Sequence, residues 1–247
     1  SAVAYLKPAR NRKNLTIITH AQAEKLLIEE GAAKGVIANI KGQSQTVRAR
    51  REVILSAGAI GSPQILMLSG IGPAGHLRDM GLDVLSDLPG VGQNLNDHPD
   101  FVLKYKCKQP VSFWPKTKPL AKLGAGIQWM MTRGGIVASN LFEGLGCVRS
   151  GPGVDYPDLQ IIISPIAVDD RTWAPLQEHA FQIHVGLMRA HSRGKIELRS
   201  SDPSDPPRIL VNYLKDARDR DLMRKGQEEY KTLNLADKNL SRNDLVK

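Results

Sequence analysis

The carboxylate of Glu143 stands among neighbours that give it no ordinary reason to be charged. In a strand, Glu143 would share a face with Leu141 and Leu145, because alternate residues line one side. Its carboxylate is therefore expected to enter an apolar layer, where burial favours the neutral form and a cationic partner would keep it ionised. That cation could be an organic ammonium ligand or a nearby arginine such as Arg149. Phe142, Trp129 and Trp173 are the aromatic residues that could complete a cage around an ammonium group. Among six histidines, His98 closes a turn-rich loop, and His184 alternates away from the apolar residues Phe181, Ile183, Val185 and Leu187. Histidines so placed are more often structural than catalytic. Cys107 and Cys147 lack the spacing of a metal site or a redox pair, and no metal is expected.

These residues need elements to hold them. Residues 15–19 (LTIIT) predict a short strand rich in β-branched residues. Residues 25–28 predict a second strand, with turns at 31–35 and 41–44 and further arms at 36–40 and 46–50. The first quarter of the chain thus reads as a small antiparallel meander. Residues 52–57 (EVILSA) carry three consecutive apolar positions, the pattern of a strand covered on both faces. Ser62 and Pro63 predict a helix start, and Gly70 its end. A buried strand, a glycine turn and a helix in that order form a place where a cofactor can approach the backbone in an open α/β sheet. Beyond residue 100 the chain predicts a helix over 120–132 and strands at 141–148, 159–163, 181–187 and 195–199. Residues 227–247 are polar and weakly periodic, as in a frayed helix or a disordered tail.

Gly70, Gly72 and Gly75 in GIGPAG match the spacing G-x-G-x-x-G. That fingerprint needs a strand before it and a helix opening on it. Here a helix precedes it and Pro73 interrupts it, so a helix-ending turn is expected instead of a phosphate loop. The net charge of +9 raises the question of nucleic acid. The basic residues are scattered and form no stripe interleaved with aromatics, so nucleic acid is not expected; anionic lipid remains a weak candidate partner. No apolar run approaches the ~20 residues of a membrane helix, and no signal peptide is read at the first residues. A cytoplasmic or peripherally membrane-associated protein is expected.

Residues 58–72 (GAIGSPQILMLSGIG) are more specific than any of these patterns. They resemble the second signature of the glucose-methanol-choline oxidoreductase family at every constrained position. Residues 14–19 and Val36 resemble the family's adenine-contacting meander, residues 88–99 its G-V-G-x-N-L-x-D-H loop, and residues 192–213 the start of its C-terminal region. The resemblance implies a partial FAD-binding α/β domain at residues 1–99 and an α+β, antiparallel-sheet substrate domain at 100–190. The C-terminal region would begin over 191–221, with an unassigned tail at 222–247. It implies FAD as cofactor, approached by Ala23, Ser56, Ala57, Gly58, Asn94 and His98. Residues 110–112, 138–140, 178–179 and 184–186 most resemble the family's choline-oxidising members. In those, a glutamate in an aromatic-Glu-x-Gly setting faces the substrate, and Phe142-Glu143-Gly144 resembles it with the second glycine displaced to Gly146. The implied reaction is oxidation of choline to betaine aldehyde by hydride transfer, with a membrane-associated electron acceptor.

The family's pyrophosphate-binding glycine loop and its catalytic histidine with a His or Asn partner have no counterpart in this sequence. The chain therefore reads as an internal fragment with no catalytic residue of its own, inactive alone. The alternatives are a fragment of a relative acting on aliphatic or aromatic alcohols, a non-enzymatic remnant, or one part of a split enzyme.

Overall fold

The first strands are set by two tight turns. β1 (Ala21–Glu29), β2 (Ala32–Ile40) and β3 (Gln43–Arg48) form an antiparallel meander. Glu30 and Gly31 link β1 to β2, and Lys41 and Gly42 link β2 to β3; all four have positive φ. Two-residue hairpin loops take this conformation because it matches the twist of the strands. The turns are tighter than the sequence predicts at 31–35, since Ala32 to Gly35 belong to β2. Gly35 pairs in the sheet, and a Cβ there would meet the Val47 carbonyl at 2.4 Å. Its glycine serves a close strand approach and no turn.

The computed structural model describes residues 2–233. It opens with a π-helical turn at Ala2–Leu6 and α1 (Lys7–Ala9). Two strand expectations fail nearby. Residues 15–19 and 52–57 have no strand partner among the described residues. Ile54, expected to be covered on both faces, is 78% exposed. Its apolar triplet has the composition of a central strand, but the described chain supplies neither flanking strands nor a layer to cover it.

α2 (Gly58–Leu68) begins five residues before the predicted start, so Pro63 lies inside it. Ser62 does not cap the helix; its Oγ accepts a bond from the Ala57 amide at 3.1 Å. The end is as predicted: Gly70, at φ +79°, donates its amide to Met67. β4 (Ile71–Gly72) pairs in parallel with β5 (Ser86–Asp87), and α3 (Ala74–Asp79) lies between them. GIGPAG therefore spans a helix end, a two-residue strand and a helix start. The Asp87 carboxylate accepts the Ala74 amide at 3.0 Å, which places negative charge where a phosphate would have to bind.

β6 (Asp100–Lys106), α4 (Pro119–Thr132), β7 (Gly144–Val148), β8 (Leu159–Ser164) and β9 (Ala180–Leu187) follow. The strands make one antiparallel sheet in the order β6-β9-β8-β7. β10 (Lys195–Glu197) and β11 (Arg208–Leu210) form a small antiparallel pair, and α5 (Ala217–Leu233) ends the described chain. The expected frayed helix at 227–247 is helical as far as Leu233; its remainder lies outside the described residues.

The chain divides into two compact units. The first comprises Ser1–Leu95 and Gly194–Val211. Its core gathers Met67, Leu68, Leu77, Ile196 and Leu198. The Ser69 hydroxyl accepts the Leu26 amide at 2.8 Å and donates to the Ile65 carbonyl, tying β1 to the end of α2. The second comprises Asn96–Arg193 and the chain from Asn212 onward. Ile161, Ile183 and Val185 form its core. α5 seats on one face of the sheet through Gly226, whose backbone lies close to Val185 and Leu159.

Candidate functional site

The other face of that sheet carries the polar residues. Glu143 precedes β7, and a turn built by Ser139 and Asn140 sets it there. Ser139 Oγ accepts the Leu141 amide at 3.0 Å, Asn140 Oδ1 accepts the Phe142 amide at 3.1 Å, and Leu141 takes φ +65°. Glu143 then donates its own amide to the Ile163 carbonyl at 3.1 Å. Its carboxylate accepts the Ser139 hydroxyl at 3.1 Å.

Glu143 is exposed, and so is Leu145 on the same side. The apolar layer expected around this carboxylate is not formed among the described residues. The left-handed Leu141 breaks the alternation before the strand begins, and the helix that covers the sheet lies on its opposite face. Among the described residues Glu143 makes no ion pair, with Arg149 or any other cation.

Next to Glu143, the ring of Phe142 packs edge-on against His184, centroids 6.0 Å apart. His184 sits in β9, one of the two interior strands of the sheet. Its Nδ1 lies 2.7 Å from the Asp100 carboxylate and its Nε2 lies 2.8 Å from Gln182 Nε2. Gln182 Oε1 accepts the Val168 amide at 3.1 Å, which leaves its NH2 to donate to the imidazole. The ring therefore presents Nδ1–H to Asp100 and its Nε2 lone pair to Gln182. His184, read from sequence as facing away from the core, is half-buried within this network.

Asp100 and Gln182, which hold His184, and Ser139, which bonds Glu143, are residues that the sequence reading did not single out as site residues. The alternation of β9 was the available signal for Gln182. Nothing in the sequence pairs Asp100 with His184. The proposed aromatic cage is not assembled by any described contact. The guanidinium of Arg133 lies 4.5 Å from the Trp129 ring centroid, and Trp173 is 78% exposed in a turn at φ +56°.

The residues expected at the flavin fall in both units. Ala23 is exposed beside an irregularity in β1, and Ser56, Ala57 and Gly58 are exposed together. Gly58 has φ +79°, with open space where a Cβ would stand. Asn94 is exposed at φ +59°. Three consecutive residues of open backbone, one without a side chain, suit a flat ring system lying along the main chain. In the second unit, His98 Nδ1 donates to the Leu187 carbonyl at 2.7 Å. The neighbouring Asp97 accepts the Tyr213 hydroxyl and the His98 amide, and these bonds hold its pKa below the ordinary carboxylate value. The loop that ends in His98 is thus anchored in two places. No described hydrogen bond joins any of these six residues to another.

Two family models described as GMC oxidoreductase match residues 1–100 and 190–244, in chain order, and together cover well over half of the sequence. The chain belongs to the GMC oxidoreductase family. Among curated proteins, oxygen-dependent choline dehydrogenase of Ectopseudomonas mendocina (strain ymp) is 47% identical over 222 residues, 89% of this chain and 39% of that protein. The enzyme of the same name from Paraburkholderia phymatum is 46% identical over 220 residues, 89% of this chain and 38% of that protein. This GMC chain thus spans about two-fifths of the length of these relatives. Their name calls these relatives oxygen-dependent.

Among solved structures, formate oxidase of Aspergillus oryzae RIB40, whose FAD modification has been probed by mutation, superposes with a TM-score of 0.87. It is 26% identical over 97% of this chain and 46% of its own. Pyridoxine 4-oxidase from Mesorbium loti superposes with a TM-score of 0.78 at 27% identity, over 100% of this chain and 44% of its own. FAD is the cofactor of the family, and the chain shows its fold: part of a FAD-binding domain and an antiparallel-sheet substrate domain. No helix among the described residues is long and apolar enough to cross a membrane.

Proposed function

We propose that these residues form part of a FAD-dependent alcohol oxidoreductase whose substrate is choline, with betaine aldehyde as product. The observation that carries the substrate assignment is Glu143, an exposed carboxylate that makes no ion pair among the described residues and follows Phe142 in sequence. A quaternary ammonium group is held by an anion and by aromatic faces, and Glu143 supplies the anion. The similarity to choline dehydrogenases supports the same reading.

FAD, when bound, would accept the hydride from the alcohol carbon. Ser56, Ala57 and Gly58 would offer backbone to the ring, with Ala23, Asn94 and His98 as further contacts. Glu143 would hold the ammonium end of the substrate. Ser139 would orient the carboxylate, and Phe142, braced by His184, would cover one side of the cation. The described residues present no general base placed against such a substrate, so the proton of the hydroxyl would be taken by a group outside them.

The test is Glu143→Gln in the longest polypeptide that contains this chain. The Michaelis constant for choline should rise about tenfold or more, the scale of one lost partly solvated ion pair. The constant for the uncharged carbon isostere of choline should stay unchanged. Equal effects on both substrates would remove the cation assignment and favour an aliphatic or aromatic alcohol. The same reading holds that the 247-residue polypeptide, purified alone, has no activity and carries no stoichiometric flavin. A yellow preparation with flavin absorbance equimolar to protein would overturn that part.

A further inference from the structure

α4 is built inside out. Leu120, Leu123, Ile127, Met130 and Met131 are each between 49% and 86% exposed. At ~100° per residue these five side chains fall within an arc of about 100°. The half-buried positions of the same helix are Ala121, Ala125 and Gly126. A helix of a soluble domain buries its large apolar face and shows its small or polar one to water. This one does the reverse, and it has no buried residue at all.

Charge is distributed with the same bias. Between Phe101 and Asn140 there are seven Lys and Arg residues and no Asp or Glu. Lys104 and Lys106 pair with Asp170 and Glu178. Lys108, Lys116, Lys118, Lys122 and Arg133 are exposed and make no ion pair among the described residues. Lys116, Lys118 and Lys122 gather at the start of α4, and Arg133 caps its end. Two tryptophans carry these cations: Lys118 lies over Trp114 at 4.7 Å and Arg133 over Trp129 at 4.5 Å.

We infer that α4 is a membrane-surface element, lying in the plane of an anionic lipid bilayer with its apolar ridge among the acyl chains and its cations among the headgroups. Fourteen residues of helix reach ~21 Å, short of the ~30 Å hydrocarbon core, so the helix rests in the interface without crossing. The apolar residues form a ridge with positive charge at both ends, a shape and charge that match a fluid anionic surface. A second copy of this chain matches poorly, since a symmetric contact would set two such positive faces against each other. The surface lies within the second unit and does not depend on the choline assignment.

The test uses the 247-residue chain and lipid vesicles. Sedimentation with vesicles containing phosphatidylglycerol should carry down at least about tenfold more protein than with pure phosphatidylcholine, and added salt should weaken the binding. The double variant Leu120→Glu/Met131→Glu should lose the binding while keeping its far-ultraviolet circular dichroism. The triple variant Lys116→Glu/Lys118→Glu/Lys122→Glu should lose only the preference for the anionic lipid. Equal binding to both vesicles, no binding to either, or unchanged binding by the Leu120→Glu/Met131→Glu variant would overturn the inference. So would a wild-type dimer in size exclusion that the apolar variant dissociates, which would assign the ridge to a second copy.

Discussion

Asp219 shows how much of this structure rests on single carboxylates. It is fully buried at the start of α5 and accepts the amides of His191 and Ser192 at 2.7 Å each. Burial alone would raise its pKa, but the bonds from His191 and Ser192 outweigh burial and hold it below the ordinary value. A depressed pKa means that the ionised form stabilises the fold above the unfolded value, near pH 4. That contribution is lost as pH falls through the folded value. Urea unfolding followed from pH 7 to pH 3 should show this acid-side loss, and Asp219→Asn should flatten it. Asp219→Ala, which leaves the amides of His191 and Ser192 without this acceptor, should cost about 2–5 kcal/mol at neutral pH. Glu143 makes a contrasting case. It is exposed, and its removal should leave stability within about 0.5 kcal/mol of the parent, so any change in choline affinity reads on binding alone.

At the scale of elements, the second unit depends on how closely α5 meets the sheet. Gly226 brings the helix backbone against Val185 and Leu159, and a Cβ there would stand 2.9 Å from Val185 Cγ1. Gly226→Leu should push α5 off the sheet and lower the thermal midpoint, with a loss of about 1–3 kcal/mol or more from overpacking. Near-ultraviolet circular dichroism would register the loosened packing. A second close approach holds the first unit together. Gly92 has φ +78°, and a Cβ would come within 2.3 Å of the Ile196 carbonyl. Gly92→Ala should destabilise this loop through strain and collision together.

At the scale of the whole molecule, the described residues form two cores that share no residue. Met67→Ala empties a position that is 1% exposed in the first, at a cost of about 2–5 kcal/mol. Hydrogen exchange should then quicken in α2 and β10 while β8 and β9 keep their protection. Equal loss of protection in both cores would show that they unfold as one cooperative body. The net charge of +9 is likewise uneven, since residues 101–140 hold seven basic and no acidic groups. The salt dependence of vesicle binding therefore reports on one segment and not on the overall charge.

Local chemistry was enough to reveal the meander, the end of α2 at Gly70, the helix over 120–132 and the alternation of β9. Each rests on residues adjacent in sequence: turn glycines, a cap, or a period of two. The family was also legible, because its motifs are contiguous segments in a definite order. Burial was not. The apolar run at 52–57 and the setting of Glu143 were both read as covered, and both are open. Covering depends on which segments fold back over a face, and those lie far away in sequence or in another part of the polypeptide. The same holds for His184, whose Asp100 partner is 84 residues distant, and for α4, where only the folded arrangement shows that the small side turns inward and the large apolar side meets the surroundings.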